Sequence, residues 1–214
     1  MAKQERALRT REALIKSAAT VFSRDGFSVA SLSAISTRAG VSTGALHFHF
    51  ENKAALADAV EDEAARRLGA ITGAHRDPAG NALQMLVNAS HELARGLTGD
   101  VVLRAGFDLS GSQVLREGRN LRRQWQQWVE ETLERAAEEG LLDTVTPEQV
   151  ATAVVAATTG FEVLGTQDPE WLAPCTITRF WQLLLPRLAA ASVLGGLTAA
   201  GSGTAPLFPE ASAR

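Results

Sequence analysis

Cysteine is nearly absent from this chain. Cys175 stands alone among 214 residues, which excludes an internal disulfide and any cysteine-based metal cluster. Also lacking is a run of about 20 apolar residues able to cross a bilayer, and the N-terminus has no signal-like apolar stretch. The expectation is a soluble, cytoplasmic protein with no membrane partner. No internal repeat is present. No carboxylate pair, Ser/His/Asp set or metal cluster falls at a useful spacing, so a helical enzyme or carrier is disfavoured and no catalytic residue, metal or cofactor is assigned. His47 and His49 are two apart and point to different sides of a helix, which does not make a metal site.

Charge is present but unevenly placed. Residues 1–53 hold eight Lys or Arg against four acids, a net of +4, so the −3 of the whole chain leaves −7 on the remainder. A basic head on an acidic body fits a nucleic-acid surface joined to a regulatory module.

The stretch that organises the chain is SLSAISTRAGVSTGALHFHFENK, residues 31–53. It reads as two short helices joined by a tight turn, with a longer helix starting after them. Ser31 is the N-cap of the first, with Leu32 and Ile35 on one face. Gly40 stops it. Ser42 caps the second, which begins with the small residues Thr43, Gly44 and Ala45 and lets backbone N–H groups approach a phosphate closely. This is helix-turn-helix spacing, in which the second helix enters the DNA major groove. Before it, Leu8, Leu14, Ile15, Ala18, Val21 and Phe22 form one helical stripe over residues 6–24. Phe27 and Val29 are expected in the small core beneath, and Phe48 and Phe50 also read as core.

These residues carry a resemblance. AGVSTGALHFHFENKAAL resembles the signature of the tetracycline-repressor family of bacterial transcriptional regulators, which commonly reads AGVSKGTLYYHFPSKEAL. The resemblance implies that Ser31, Ser42, Thr43, Gly44, Ala45, His47, Phe48 and Lys53 face DNA. Lys53 matches the family's phosphate-contacting lysine. His47 replaces a tyrosine that commonly touches the backbone, and Thr43 replaces a longer lysine, which alters base reading there.

The body reads as helices over about 52–71, 82–97, 101–110, 121–139, 147–165 and 170–194. Loops are expected at 73–81, where His75 is solvated, and at 111–118. Pro174 and Pro186 kink or restart the last helix. Trp125 and Trp128 lie on the apolar stripe of the 121–139 helix, as core or as the wall of an apolar cavity. The helix from 147 is apolar almost all round and so is deeply buried or lies in a subunit interface. From residue 195 onward, Gly, Ala, Ser, Thr and Pro leave little to bury, and disorder is expected.

VLRAGFDL at residues 102–109, Trp128 and AATTGFEVLG at residues 156–165 are similar to the γ-butyrolactone receptor branch, repressors of antibiotic biosynthesis in filamentous actinobacteria. That resemblance implies that Trp128 lines the effector pocket and that Thr159 bonds the effector's polar end. The candidate lining is Ala64, Leu86, Val87, Leu103, Phe107, Trp125, Trp128, Val155, Thr158 and Thr159. Ala64 stands where the branch often carries Gln, which suggests a "pseudo" receptor answering to other molecules, antibiotics or their intermediates.

The fold expected is all-α: a helix-turn-helix domain over 1–53, a ligand-binding and dimerisation domain over 54–194, and a tail over 195–214. The function expected is a dimeric repressor on a pseudo-palindromic double-stranded operator, nucleoid-associated, joined through its last two helices and released by a small apolar effector. The alternative is a DNA-binding regulator controlled by protein partners, with no small-molecule ligand.

Overall fold

A computed structural model of the chain describes residues 2–74, 80–111 and 120–202. The loop expectations at 73–81, including His75, and at 111–118 fall mostly outside the described residues. Gly73 and Ala74 continue a helix. Among the described residues there are helices and one isolated β-bridge, Leu142 to Ala189. No described helix is long and apolar enough to cross a membrane.

The chain divides by packing into two compact units. The first holds residues 1–67 and 101–121, and the second 68–100 and 122–214. In the first unit, α1 (Ala2–Asp25) buries Leu14, Ile15, Ala18, Val21 and Phe22 of the stripe that the 3.6-residue period marks, while Leu8, expected on the same stripe, is 57% exposed. α2 (Leu32–Arg38), α3 (Thr43–His49) and the start of α4 (Lys53–Ala74) add Ile35, Leu46, Phe50 and Leu56 to the buried set. α6 (Val101–Gly111) lies along α1. It also approaches α4 closely. A Cβ at Gly106 would lie 2.3 Å from the Ala64 Cβ, so Gly106 has no room for a side chain.

Two expectations for this core are corrected. Val29 is 78% exposed, and the adjacent Ala30 is buried in its stead. Phe27 packs on Phe22 with ring centroids 5.5 Å apart, which leaves the turn no second large side chain to bury. Phe48 is 82% exposed and only Phe50 is core. Alternate residues near the end of a short helix cannot both face inward.

The second unit holds the end of α4, α5 (Ala82–Gly99), α7 (Leu121–Glu138, all but its first residue), α8 (Pro147–Gly165), α9 (Pro174–Leu188) and α10 (Ala191–Leu194). α8 opens with a full capping box, Thr146 and Gln149 bonding each other's backbone, and Pro147 at the first helical position.

The long last helix expected over 170–194 is in fact three pieces: a 3-10 turn at Pro169–Leu172, α9 and α10. Pro174 holds Ala173 in an extended conformation and separates the first two. Ala189 is extended because it pairs with Leu142, through Ala190 N–H to Leu141 O at 2.8 Å and Asp143 N–H to Leu188 O at 2.9 Å. The tail differs too. Residues 195–202 form turns bonded to α5, because the unsatisfied backbone groups of a polar segment find polar side chains there. Residues 203–214 lie outside the described residues.

Candidate functional site

The turn between α2 and α3 is built from local chemistry. The Ser31 hydroxyl accepts from Ala34 N–H at 3.2 Å, and the Ser42 hydroxyl from Ala45 N–H at 3.1 Å, so both serines cap their helices. α2 ends in a Schellman motif. Val41 N–H reaches Ser36 O at 3.0 Å, Gly40 N–H reaches Thr37 O at 3.1 Å, and Gly40 has φ +68°, where only glycine is unstrained. Ser36 and Thr43 hydroxyls, 3.5 Å apart, tie the two helices across the turn.

That framework buries Leu46 and leaves Thr43, Gly44, His47 and Phe48 exposed on α3, with Ala45 half-buried. An exposed phenylalanine beside a histidine and a threonine presents an apolar and polar surface to solvent. The Arg11 guanidinium stands 5.2 Å over the Phe50 ring and braces the far end of α3. Among the described residues no group of His, Cys, Asp or Glu could hold a metal.

Lys53 is bonded inside the head. Its ammonium donates to Phe27 O at 2.8 Å, Ser28 O at 3.1 Å and Ala30 O at 2.9 Å, and sits 4.8 Å over the Phe27 ring. An ammonium has three protons, and all three are used inside the head. Lys53 therefore clamps the turn between α1 and α2. No local signal in the sequence announces this, because the acceptors lie 23 to 26 positions away.

In the second unit the structure brings together Trp125, Trp128 and Thr158. The two indoles stack with centroids 5.2 Å apart. Trp125 Nε1–H donates to Thr158 Oγ1 at 2.9 Å, and the Thr158 hydroxyl donates to Val154 O at 2.8 Å. Thr158 is thus engaged within the fold, whereas Thr159 is half-buried. One turn along, Arg122 grips Glu162 with two bonds of 2.8 and 2.9 Å, so α7 and α8 are joined by an ion pair that the helical pattern alone does not reveal. Beside this seam a cavity of about 450 Å³ is lined by Val155, Ala151, Pro147, Gln126, Glu130 and Glu148, among others.

Leu86 and Val87 are buried on α5. Ala64, Leu103 and Phe107 are buried residues of the first unit. There the small side chain of Ala64 is explained by its contact with Gly106.

A capped helix-turn-helix with one face of its second helix exposed, joined to a helical body, has the form of a DNA-binding regulator. Residues 14–60 match the family model for bacterial regulatory proteins of the tetR family. The A-factor receptor protein of Streptomyces griseus is 31% identical over 206 residues, which span 94% of this chain and 71% of that protein. A crystal structure of a gamma-butyrolactone receptor, described as ArpA-like, has a TM-score of 0.78 at 27% identity and covers 91% of this chain and 96% of its own. CprB from Streptomyces coelicolor, solved in complex with its operator sequence, has a TM-score of 0.75 at 26% identity and covers 89% and 94%. The chain belongs to the tetR family of bacterial transcriptional regulators and is similar, within it, to the A-factor and gamma-butyrolactone receptors. It is a DNA-binding regulator and not an enzyme.

Proposed function

We propose that this protein is a homodimeric repressor that acts on nucleoid DNA in the cytoplasm and leaves its operator when a small apolar effector enters the body. The single observation that carries the DNA side is α3, whose Thr43, Gly44, His47 and Phe48 are exposed on a braced frame. In this reading Thr43 and Phe48 meet base edges and His47 donates to a phosphate oxygen. One such helix buries too little surface to select a site in a genome. Two of them, about 34–36 Å apart in successive major grooves, suffice.

The dimer in this reading forms through α8 and α9. Val163, Leu164 and Leu183 are exposed there, next to the Phe161–Phe180 ring pair. A row of large apolar side chains in water is the mark of an interface.

The effector in this reading lies against Trp125 and Trp128, with Thr159 as a polar anchor. Its class is a γ-butyrolactone-like signal or an antibiotic. The released state must bind effector better than the DNA-bound state does, or no shift occurs. α4 is the element able to carry the shift, since its first residues belong to the head unit and its last to the body unit.

The test is a mobility-shift titration on the upstream region of the protein's own gene, with wild type and Trp128→Ala. The variant is expected to hold DNA as wild type does and to ignore effector. Equal loss of folding and DNA binding would make Trp128 a core residue only. Wild-type DNA binding with no release by butyrolactone or by antibiotic extract would move the reading to control by a protein partner.

A further inference from the structure

One face of α5 carries an arrangement that neither DNA binding nor effector binding uses. Gln84, Asn88 and His91 stand at i, i+4 and i+7, hence on one side of the helix. Together they hold the backbone of residues 198–202. Gln84 meets both backbone groups of Thr198. Its Oε1 accepts from Thr198 N–H at 2.7 Å and its Nε2 donates to Thr198 O at 3.1 Å. Asn88, one turn on, holds Ser202, with Oδ1 accepting from Ser202 N–H and Nδ2 donating to Ser202 Oγ, both at 2.9 Å. Gln84 Nε2 also donates to Asn88 Oδ1 at 2.9 Å, which fixes the orientation of both amides. His91, buried, has its Nε2 2.9 Å from Ala199 O, and a carbonyl only accepts, so that nitrogen carries the proton. The held segment turns at Gly201, which has φ +84°.

Four of these five contacts are to backbone atoms and the fifth is to a serine hydroxyl. A side-chain ladder that pairs with main-chain N–H and C=O groups recognises a chain conformation rather than a set of side chains.

We propose that Gln84, Asn88 and His91 form a peptide-backbone-binding site on α5, and that residues 197–202 are its occupant in cis, a latch that orders the first half of that helix. The peptide it takes is short, made mostly of small residues, and turned, with glycine at the position of Gly201 and a hydroxyl residue after it.

The experiment is hydrogen exchange by mass spectrometry on the full-length chain, comparing wild type, Gly201→Val and Asn88→Ala. A β-branched residue at positive φ is strained, so Gly201→Val opens the latch and leaves the ladder intact. Amides of 198–202 and of the first half of α5 are expected to exchange about tenfold faster in both variants, while α2, α3 and operator affinity stay as in wild type. A synthetic peptide with the sequence of residues 197–202, LTAAGS, added in excess to Gly201→Val, is expected to restore protection on α5. It is expected to do nothing for the Gly201→Val/Asn88→Ala chain. The proposal is overturned if wild-type 198–202 exchanges as freely as an open chain, or if α5 keeps its protection when the segment is released. Failure of the peptide to restore α5 in a Gly201→Val chain whose other helices are protected also overturns it.

Discussion

Single residues carry two roles that differ from what their type suggests. Lys53 is a cation at the edge of a DNA-binding head, yet its three protons serve the carbonyls of Phe27, Ser28 and Ala30. Lys53→Met keeps the stem and removes the charge-assisted bonds. It is expected to destabilise the chain by about 2 kcal/mol in urea titrations, and to weaken operator binding without changing its salt dependence. A phosphate contact would instead lower the salt slope by about one. His91 is the second case. Burial lowers its pKa, the bond to Ala199 O raises it less, and Arg95 lowers it further. The unfolded imidazole takes a proton near pH 6.5, and the folded one resists. Stability from this group is therefore complete above about pH 6.5 and lost as pH falls toward the lower folded value. Glu61, whose pKa is raised by burial and by Asp58 and Asp62, acts with the opposite sign above the ordinary carboxylate range. Thermal melts of wild type and His91→Gln from pH 7.5 to 5 separate the two. Glu61 is common to both chains, and the variant is expected to lose the decline that begins below about pH 6.5.

Helices here start and stop where their own residues dictate, and meet where they do not. Ser31, Ser42 and Thr146 each cap a helix, as their types and positions indicate, and Gly40 ends α2. Such signals act over three or four residues and are legible in the chain. Pro174 was legible as an interruption for the same reason. The break at Ala189 was not, because it arises from pairing with Leu142, 47 positions earlier. The seam between α7 and α8 is likewise a matter of contact. Glu162 has only 5% of its side chain exposed, and Arg122 is its cation. Arg122→Met leaves that carboxylate buried and unpaired, at an expected cost of about 3 kcal/mol in urea denaturation. The pair Arg122→Met with Glu162→Leu is expected to recover most of the loss, since two apolar groups need no partners.

At the scale of the whole molecule, the proposed dimer makes DNA binding depend on a surface far from α3 in the sequence. Leu183 is 62% exposed on α9. Leu183→Asp places a charge in the proposed interface, where it has no partner. Sedimentation of the variant is expected to give monomer, with operator affinity reduced to the non-specific level. A variant that stays dimeric and binds its operator would remove α9 from the interface. The basic head and acidic body, read from charge alone, suit the same picture, since each head of a dimer needs its positive surface turned to one duplex.

Much of this protein is determined by its sequence alone: the helical class, the helix-turn-helix with its caps and its glycine turn, and the exposure of Thr43, Gly44 and His47. All of these rest on short-range rules, the 3.6-residue period and the capping of neighbouring amides. Tertiary structure alone decided that Lys53 clamps a turn, that Trp125 bonds Thr158, that Ala64 meets Gly106, and that the segment after α10 lies on α5. In each of these the partner is distant in sequence, and a side chain's role depends on which remote backbone group or surface the fold leaves beside it.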